Sequence, residues 1–263
     1  MILKMRCQML IRFLLMAFCL SMMIASAKAN VIKGIEFYNQ RHEGANGTSA
    51  SKLNIDKAIS QFTQSITANT SDKEAALYLL KSYYYRGEFA TQNIEEKKDI
   101  FNKGKSIGEE FIKKFPDSYK LRYWYLVNLG SWAQVYGTLN AAREGVADLM
   151  KTHSEKIIEL NSDYSDGGGY FMLGAVHYKS PYIPFLLSWP DNDEAIKFLE
   201  LAVNTGKAEL NQKNYLAKAL NKAGKTKKAR ALLNEVISTK INPENYVEDL
   251  DRINEAKEIL ESL

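Results

Sequence analysis

Cysteine and histidine are scarce, and that scarcity removes most routes to chemistry. The 263 residues include two cysteines, Cys7 and Cys19, and three histidines, His42, His153 and His177. Both cysteines lie in the first 29 residues, so the rest of the chain can form no disulfide, thiolate nucleophile or cysteine-ligated metal site. None of the histidines sits in an H-E-x-x-H pattern or beside carboxylates that would complete a ligand set. No nucleophile elbow, P-loop or dinucleotide fingerprint occurs, and Gly167–Tyr170 follows no strand. Asn161, Asp163 and Asp166 are spaced somewhat like a calcium loop, but the glycine is misplaced and no Glu follows at the required offset. They read as a turn and helix cap. The sequence therefore predicts no catalytic residue, no metal, no cofactor and no enzyme.

A surplus of charge is also missing once the N-terminus is set aside. Lys4, Arg6 and Arg12, the apolar run from Phe13 to Ile24 and the small-x-small triplet Ala27-Lys28-Ala29 read as a secretory signal over residues 1–29. The run falls short of the roughly 18 apolar residues a membrane span needs. The membrane enters only if this segment stays uncleaved or Cys19 is lipidated, and Met16-Ala17-Phe18 lacks the small residue a lipidation site needs. The whole chain has 35 basic and 31 acidic residues; the signal holds four of the bases and no acid, leaving residues 30–263 with no net charge. That balance gives no ground for a nucleic-acid partner. The expectation is a protein secreted across the inner membrane to the periplasm.

Alternating strand patterns are absent too, and nearly everything after Asn30 carries a 3.6-residue period. The predicted class is all-α, a single tetratricopeptide-like domain over 30–263 built around a buried central helix. That central helix, about Asp117 to Tyr136, contains Leu121–Tyr136, LRYWYLVNLGSWAQVY. Apolar side chains cover almost all of its surface, which marks a helix enclosed by others. Helices are also predicted over 31–41, 53–68, 72–85, 94–115, 140–160, 169–178, 191–205, 208–223 and 226–238. A capping helix over 244–260 is expected to close the array.

The repeat signal is a 34-residue spacing. Ala195, Leu199 and Ala202 recur as Ala229, Leu233 and Val236, with Leu216, Ala217, Leu220 and Gly224 between them. Tyr170, Leu173, Gly174 and His177 mark a further first helix, giving regular repeats over about 167–238. Its partner helix comes nine residues late because Ser180–Trp189 is inserted. Three of the chain's five prolines, Pro181, Pro184 and Pro190, fall in or beside this insertion, together with Tyr182, Ile183, Phe185, Leu186, Leu187 and Trp189. So apolar a loop must be buried, cover a pocket or bind a partner. The sequence predicts that it roofs a cavity lined by Trp124, Asn128, Trp132, Tyr170 and His177, with Trp189 above.

With these residues in view, the chain resembles the T-component (TatT) proteins of TRAP transporters. The likeness rests on Tyr123–Ala133, Gly167–Pro181 and Lys213–Val236. The regulator-of-microtubule-dynamics proteins are similar over the C-terminal half. The first resemblance implies an exported, non-enzymatic accessory protein of a TRAP-type solute uptake system. Its partner would be a periplasmic solute-binding protein or another envelope protein, and its cavity could hold an apolar small molecule. The departures are the missing lipidation site and the presence of Phe171 and Ala175 where basic residues are common. The alternative is a general envelope protein-interaction module with no transport role. End-to-end association of repeat helices would make an oligomer.

Overall fold

Short polar side chains that reach back to the backbone mark where several of the helices begin. Ser51, Asp72, Asn93, Ser118 and Asp191 each accept a hydrogen bond from N–H groups of the turn that follows. Each offsets one or two of the four donors that a helix start leaves unmet. In the computed structural model, which describes residues 27–183 and 187–263, the chain is an array of α-helices. They are α1 (27–39), α2 (Lys52–Ala68), α3 (Lys73–Phe89), α4 (Ile94–Lys114), α5 (Tyr119–Tyr136) and α6 (Thr138–Arg143). After these come α7 (Val146–Asn161), α8 (Gly168–Lys179), α9 (Asn192–Val203), α10 (Leu210–Lys222), α11 (Thr226–Ile237) and α12 (Tyr246–Glu261). Among the described residues there is no strand, only isolated bridges at Asn46/Ser49 and Ile183/Leu187. No described helix is long and apolar enough to cross a membrane.

α1 runs through the expected cleavage point at Ala29–Asn30. Ala27 is buried, and its carbonyl accepts a hydrogen bond from Ser65 Oγ at 3.0 Å. Residues 1–26, with Lys4, Cys7, Cys19 and the apolar run, lie outside the described residues.

Successive helices pack on one another as antiparallel neighbours, the arrangement of a helical repeat array. The 34-residue register explains how they approach. A Cβ added to Gly174 in α8 would stand 2.6 Å from Leu199 Cγ in α9, so only glycine lets the two backbones come this close. At Gly168 the occupied space belongs to Tyr123 of α5, and at Gly169 to Ile157 and Ile158 of α7. The glycine-rich opening of α8 is therefore a three-way packing joint.

α5 is the hub, packed by α3, α4 and α7 and touched by α6 and α8. Its buried residues point in all directions: Leu121 toward Leu80 and Phe111, Tyr125 toward Gly108, and Leu126 and Leu129 into the largest core cluster. The central helix expected from the sequence is present.

One predicted helix is two. The stretch 140–160 breaks at Glu144–Gly145, giving α6 and α7. Gly145 sits at φ +63°, the left-handed region that ends helices at low cost only for glycine. α6 itself buries no residue.

The array also closes on itself. α12 packs on α10 and α11 and at the same time reaches the first turns of the fold. Val247 is fully buried with Ala50, Tyr85, Phe89 and Ala90. Arg41 Nε donates to Glu248 Oε1 at 2.8 Å, and its Nη2 donates to Glu244 O at 3.0 Å and to Asn245 Oδ1 at 2.9 Å. Arg252 Nη2 donates to Tyr84 Oη at 3.1 Å. The predicted capping helix is thus a clasp, and α3, α5, α8, α10 and α12 form an inner ring.

Candidate functional site

The inner ring lines a half-open cavity of about 410 Å³. Its two walls differ in chemistry. α6, α7, α8 and the insertion contribute an apolar wall that includes Ala142, Val146, Ala147, Met150, Val176 and Leu187. α3, α8, α10 and α12 contribute a polar wall of Glu88, Lys179, Glu209, Arg252 and Glu255, with Tyr84 and Tyr215. An apolar concave site with a few convergent polar groups is the usual form of a small-molecule site, and the volume falls in the typical range of about 300–1,000 Å³.

The polar wall divides into charges with partners and charges without. Glu255 takes Lys218 Nζ at 2.5 Å, Asn214 Nδ2 at 3.0 Å and Arg252 Nη1 at 3.4 Å. Burial opposes its charge, yet these partners hold its carboxyl below the ordinary value. Burial likewise opposes the charge of Arg252, and Tyr84, Asp251, Glu255 and Glu88 more than offset it, so its pKa is raised. Lys179 forms no ion pair among the described residues; burial pushes its ammonium down, against the pull of Glu255 and Glu88. Glu209 lines the cavity from the start of α10 and is solvent-exposed. The protein packed around it pushes its carboxyl up, opposed by a 3.2 Å hydrogen bond from Ser165 Oγ.

The six residues singled out in the sequence do not converge here. Trp124 lines the cavity, its ring 5.9 Å from Tyr84 and 5.7 Å from Tyr123. Asn128 is buried on another face of α5, where Nδ2 donates to Leu80 O at 3.0 Å and Trp124 O at 2.8 Å. Trp132 faces α4, donating to Asn102 Oδ1 at 2.7 Å and stacking on Tyr136 at 4.5 Å. Tyr170 packs against the core but is not part of the cavity wall. His177 and Trp189 pair with each other, ring centres 4.8 Å apart. His177 Nδ1 accepts from Asp191 N at 3.2 Å, and Trp189 Nε1 donates to Asp148 Oδ1 at 2.9 Å. The expected lining of Asn128, Trp132, Tyr170, His177 and Trp189 is corrected accordingly: these groups are packing and anchoring residues. Trp189 pins the insertion to α7, while Pro181 and Leu187, at its two ends, reach the cavity. Pro184, Phe185 and Leu186 lie outside the described residues.

The face of α5 that does line the cavity carries Val127, Gly130, Ser131, Ala133 and Gln134 as well as Trp124. Aromatic side chains fill the space between helices, whereas small ones leave it. The signal available in the sequence was the Gly130-Ser131-x-Ala133 run, and the aromatic stripe drew attention to the wrong face. Among the described residues no group of three or more metal-binding side chains comes together.

Ring, repeat register and cavity define a tetratricopeptide-like all-α scaffold, a class suited to protein–protein interaction. The sequence model of the family described as Regulator of microtubule dynamics protein 1-3 matches residues 42–186, more than half of the chain, and the chain belongs to that family. The match spans α2 to α8, so this likeness lies mainly over the N-terminal and central helices and reaches only the first part of the C-terminal half. A solved thermophilic TPR protein from Thermus thermophilus is similar in fold, with a TM-score of 0.57 at 14% identity, covering 90% of this chain and 97% of that one. A search of curated proteins finds no sequence match.

Proposed function

We propose that the protein is a non-enzymatic binding scaffold that holds an amphipathic small molecule inside its helical ring. The observation that carries this reading is the cavity of about 410 Å³ with one apolar and one polar wall. The space is a half-open concavity on the inner face of the array, and its size and its mixed lining suit a ligand. The polar wall supplies orientation and the apolar wall supplies affinity.

The narrower role is an exported accessory protein of a TRAP-type uptake system, acting beside a periplasmic solute-binding protein. Its support is the resemblance over Tyr123–Ala133, Gly167–Pro181 and Lys213–Val236 together with the signal-like N-terminus. Packing alone accounts for the glycines of the second stretch, so the cavity is the stronger ground.

The test is native mass spectrometry of the purified protein, with Ala147→Phe as the blocking variant. Ala147 lines the apolar wall, and a phenyl ring there fills part of the space without touching the charged groups. The expected result is an added mass on the wild type that is lost from a folded Ala147→Phe protein. An added mass retained unchanged by the variant would place the ligand elsewhere and refute the reading.

A further inference from the structure

We propose that α6 is a gate on the cavity: it turns about Gly137 and Gly145, and its outward swing is the step that admits and releases the ligand. This inference rests on the cavity reading above and adds to it how the site is entered.

α6 is the least firmly held part of the cavity lining. Gly137, Thr138, Ala141 and Ala142 face the cavity, yet only Ala141 and Ala142 of α6 are even half-buried, and Leu139 is 65% exposed. The other lining helices, α3, α5, α7, α8, α10 and α12, each bury residues in the core. The insertion is anchored by Trp189 and by the buried Leu187. Two polar side-chain ties hold α6 among the described residues. Lys105 Nζ of α4 donates to Glu144 Oε2 at 2.9 Å, and Asn140 Nδ2 donates to Tyr136 O at 2.8 Å. Both lie at the surface, where an ion pair shifts an equilibrium by only about two- to fivefold. A segment with few buried apolar contacts and solvent-exposed polar ones opens at low cost.

Both ends of α6 are free to pivot. Gly137 and Gly145 have φ of +83° and +63°, and a Cβ added to either would meet nothing within 4 Å. Close packing, which explains Gly168 and Gly174, therefore does not explain these two, and their backbone can turn without displacing a neighbour. α6 is not wedged from its other side either. Asn140, Arg143 and Glu144 border a shallow groove with Trp132 and Tyr136 of α5, so space lies on both flanks of the helix. Glu144 sits at the end of α6 farther from Gly137, where a swing about that glycine moves it most. Release of its tie to Lys105 thus accompanies opening.

Hydrogen exchange and stopped-flow fluorescence on the full chain test the inference, the second with N-phenyl-1-naphthylamine, an uncharged probe that brightens in apolar surroundings. In the free protein the amides of residues 139–144 should exchange at least about tenfold faster than those of 124–133 and 149–158. Glu144→Gln should raise that exchange, and both the association and the dissociation rate of the probe, by about two- to fivefold, with Kd changed by less than about twofold. Glu159→Gln, which breaks an exposed pair with Lys156 on α7, should change none of these. Exchange in 139–144 as slow as in α7, or probe rates untouched by Glu144→Gln, overturns the gate and leaves the cavity reading standing. If the probe does not bind, or if Ala147→Phe leaves its binding unchanged, the cavity reading fails and the gate with it. Glu144→Gln alters one exposed side chain, and circular dichroism checks that the variant is folded.

Discussion

His153 is held neutral by its surroundings, and that makes the fold sensitive to mild acid in a calculable way. The ring lies half-buried against Tyr125, with centroids 5.4 Å apart, and Arg122 Nη1 contacts His153 Nδ1. Burial first, and the Arg122 charge second, push the imidazole down from 6.5 to about 4. An unfolded chain takes up a proton near pH 6.5, whereas the folded one resists until near pH 4. Stability is therefore complete above the unfolded value and is lost as the pH falls toward the folded one. Evaluating the linkage at about pH 5 gives a loss of about 2 kcal/mol relative to about pH 8. Urea unfolding at these two pH values, on the wild type and on His153→Gln, isolates the effect. Glutamine keeps an acceptor for Arg122 and cannot titrate, so other groups cancel in the difference, including His177, which burial also lowers. The wild type should lose about 2 kcal/mol more than the variant between the two pH values. Equal losses in the two proteins would refute the account of His153.

Asn128→Leu removes the bonds to Leu80 O and Trp124 O and drives a branched carbon toward Gly104, where Asn128 Oδ1 already crowds the backbone. It should destabilise the fold by about 2–4 kcal/mol in denaturant while leaving any mass bound to the folded fraction in native mass spectrometry unchanged. Gly174→Ala places a Cβ 2.6 Å from Leu199 Cγ, and the melting temperature should fall, at a cost of about 1–3 kcal/mol. Val247→Asp puts a charge among Ala50, Tyr85 and Phe89. Hydrogen exchange should then quicken in α12 and residues 41–50 before it does in α7–α9.

The course of the chain was readable where local rules decide. The end of the helix over 94–115 before Pro116 and the 34-residue recurrence of Ala195, Leu199 and Ala202 both act within a few turns of helix. The family of folds followed from them. The break at Gly145 escaped because an isolated glycine inside a periodic stretch is compatible with a continuous helix, and its left-handed φ appears only in three dimensions. The cavity escaped for a different reason. A wholly apolar helix has no face that announces what lies opposite, so Trp124, which lines the cavity, was grouped with Asn128 and Trp132, which face a space that α4 fills. The polar wall joins Glu88 to Arg252 and Glu255 across more than half of the sequence, and no spacing rule operates at that range.

Closure also limits how this array could have changed length. An open solenoid gains or loses a repeat at little cost, since each unit meets only its neighbours. Here the contacts of Arg41 with Glu248 and of Val247 with Tyr85 fix the distance between the first and last helices. One extra helical pair would leave that seam unable to meet, and one fewer would collapse the space that α5 borders. The number of helices is set by the circumference they must complete. The same joint links segments that leave the ribosome more than two hundred residues apart, so the ring can lock only after the last helix has been made.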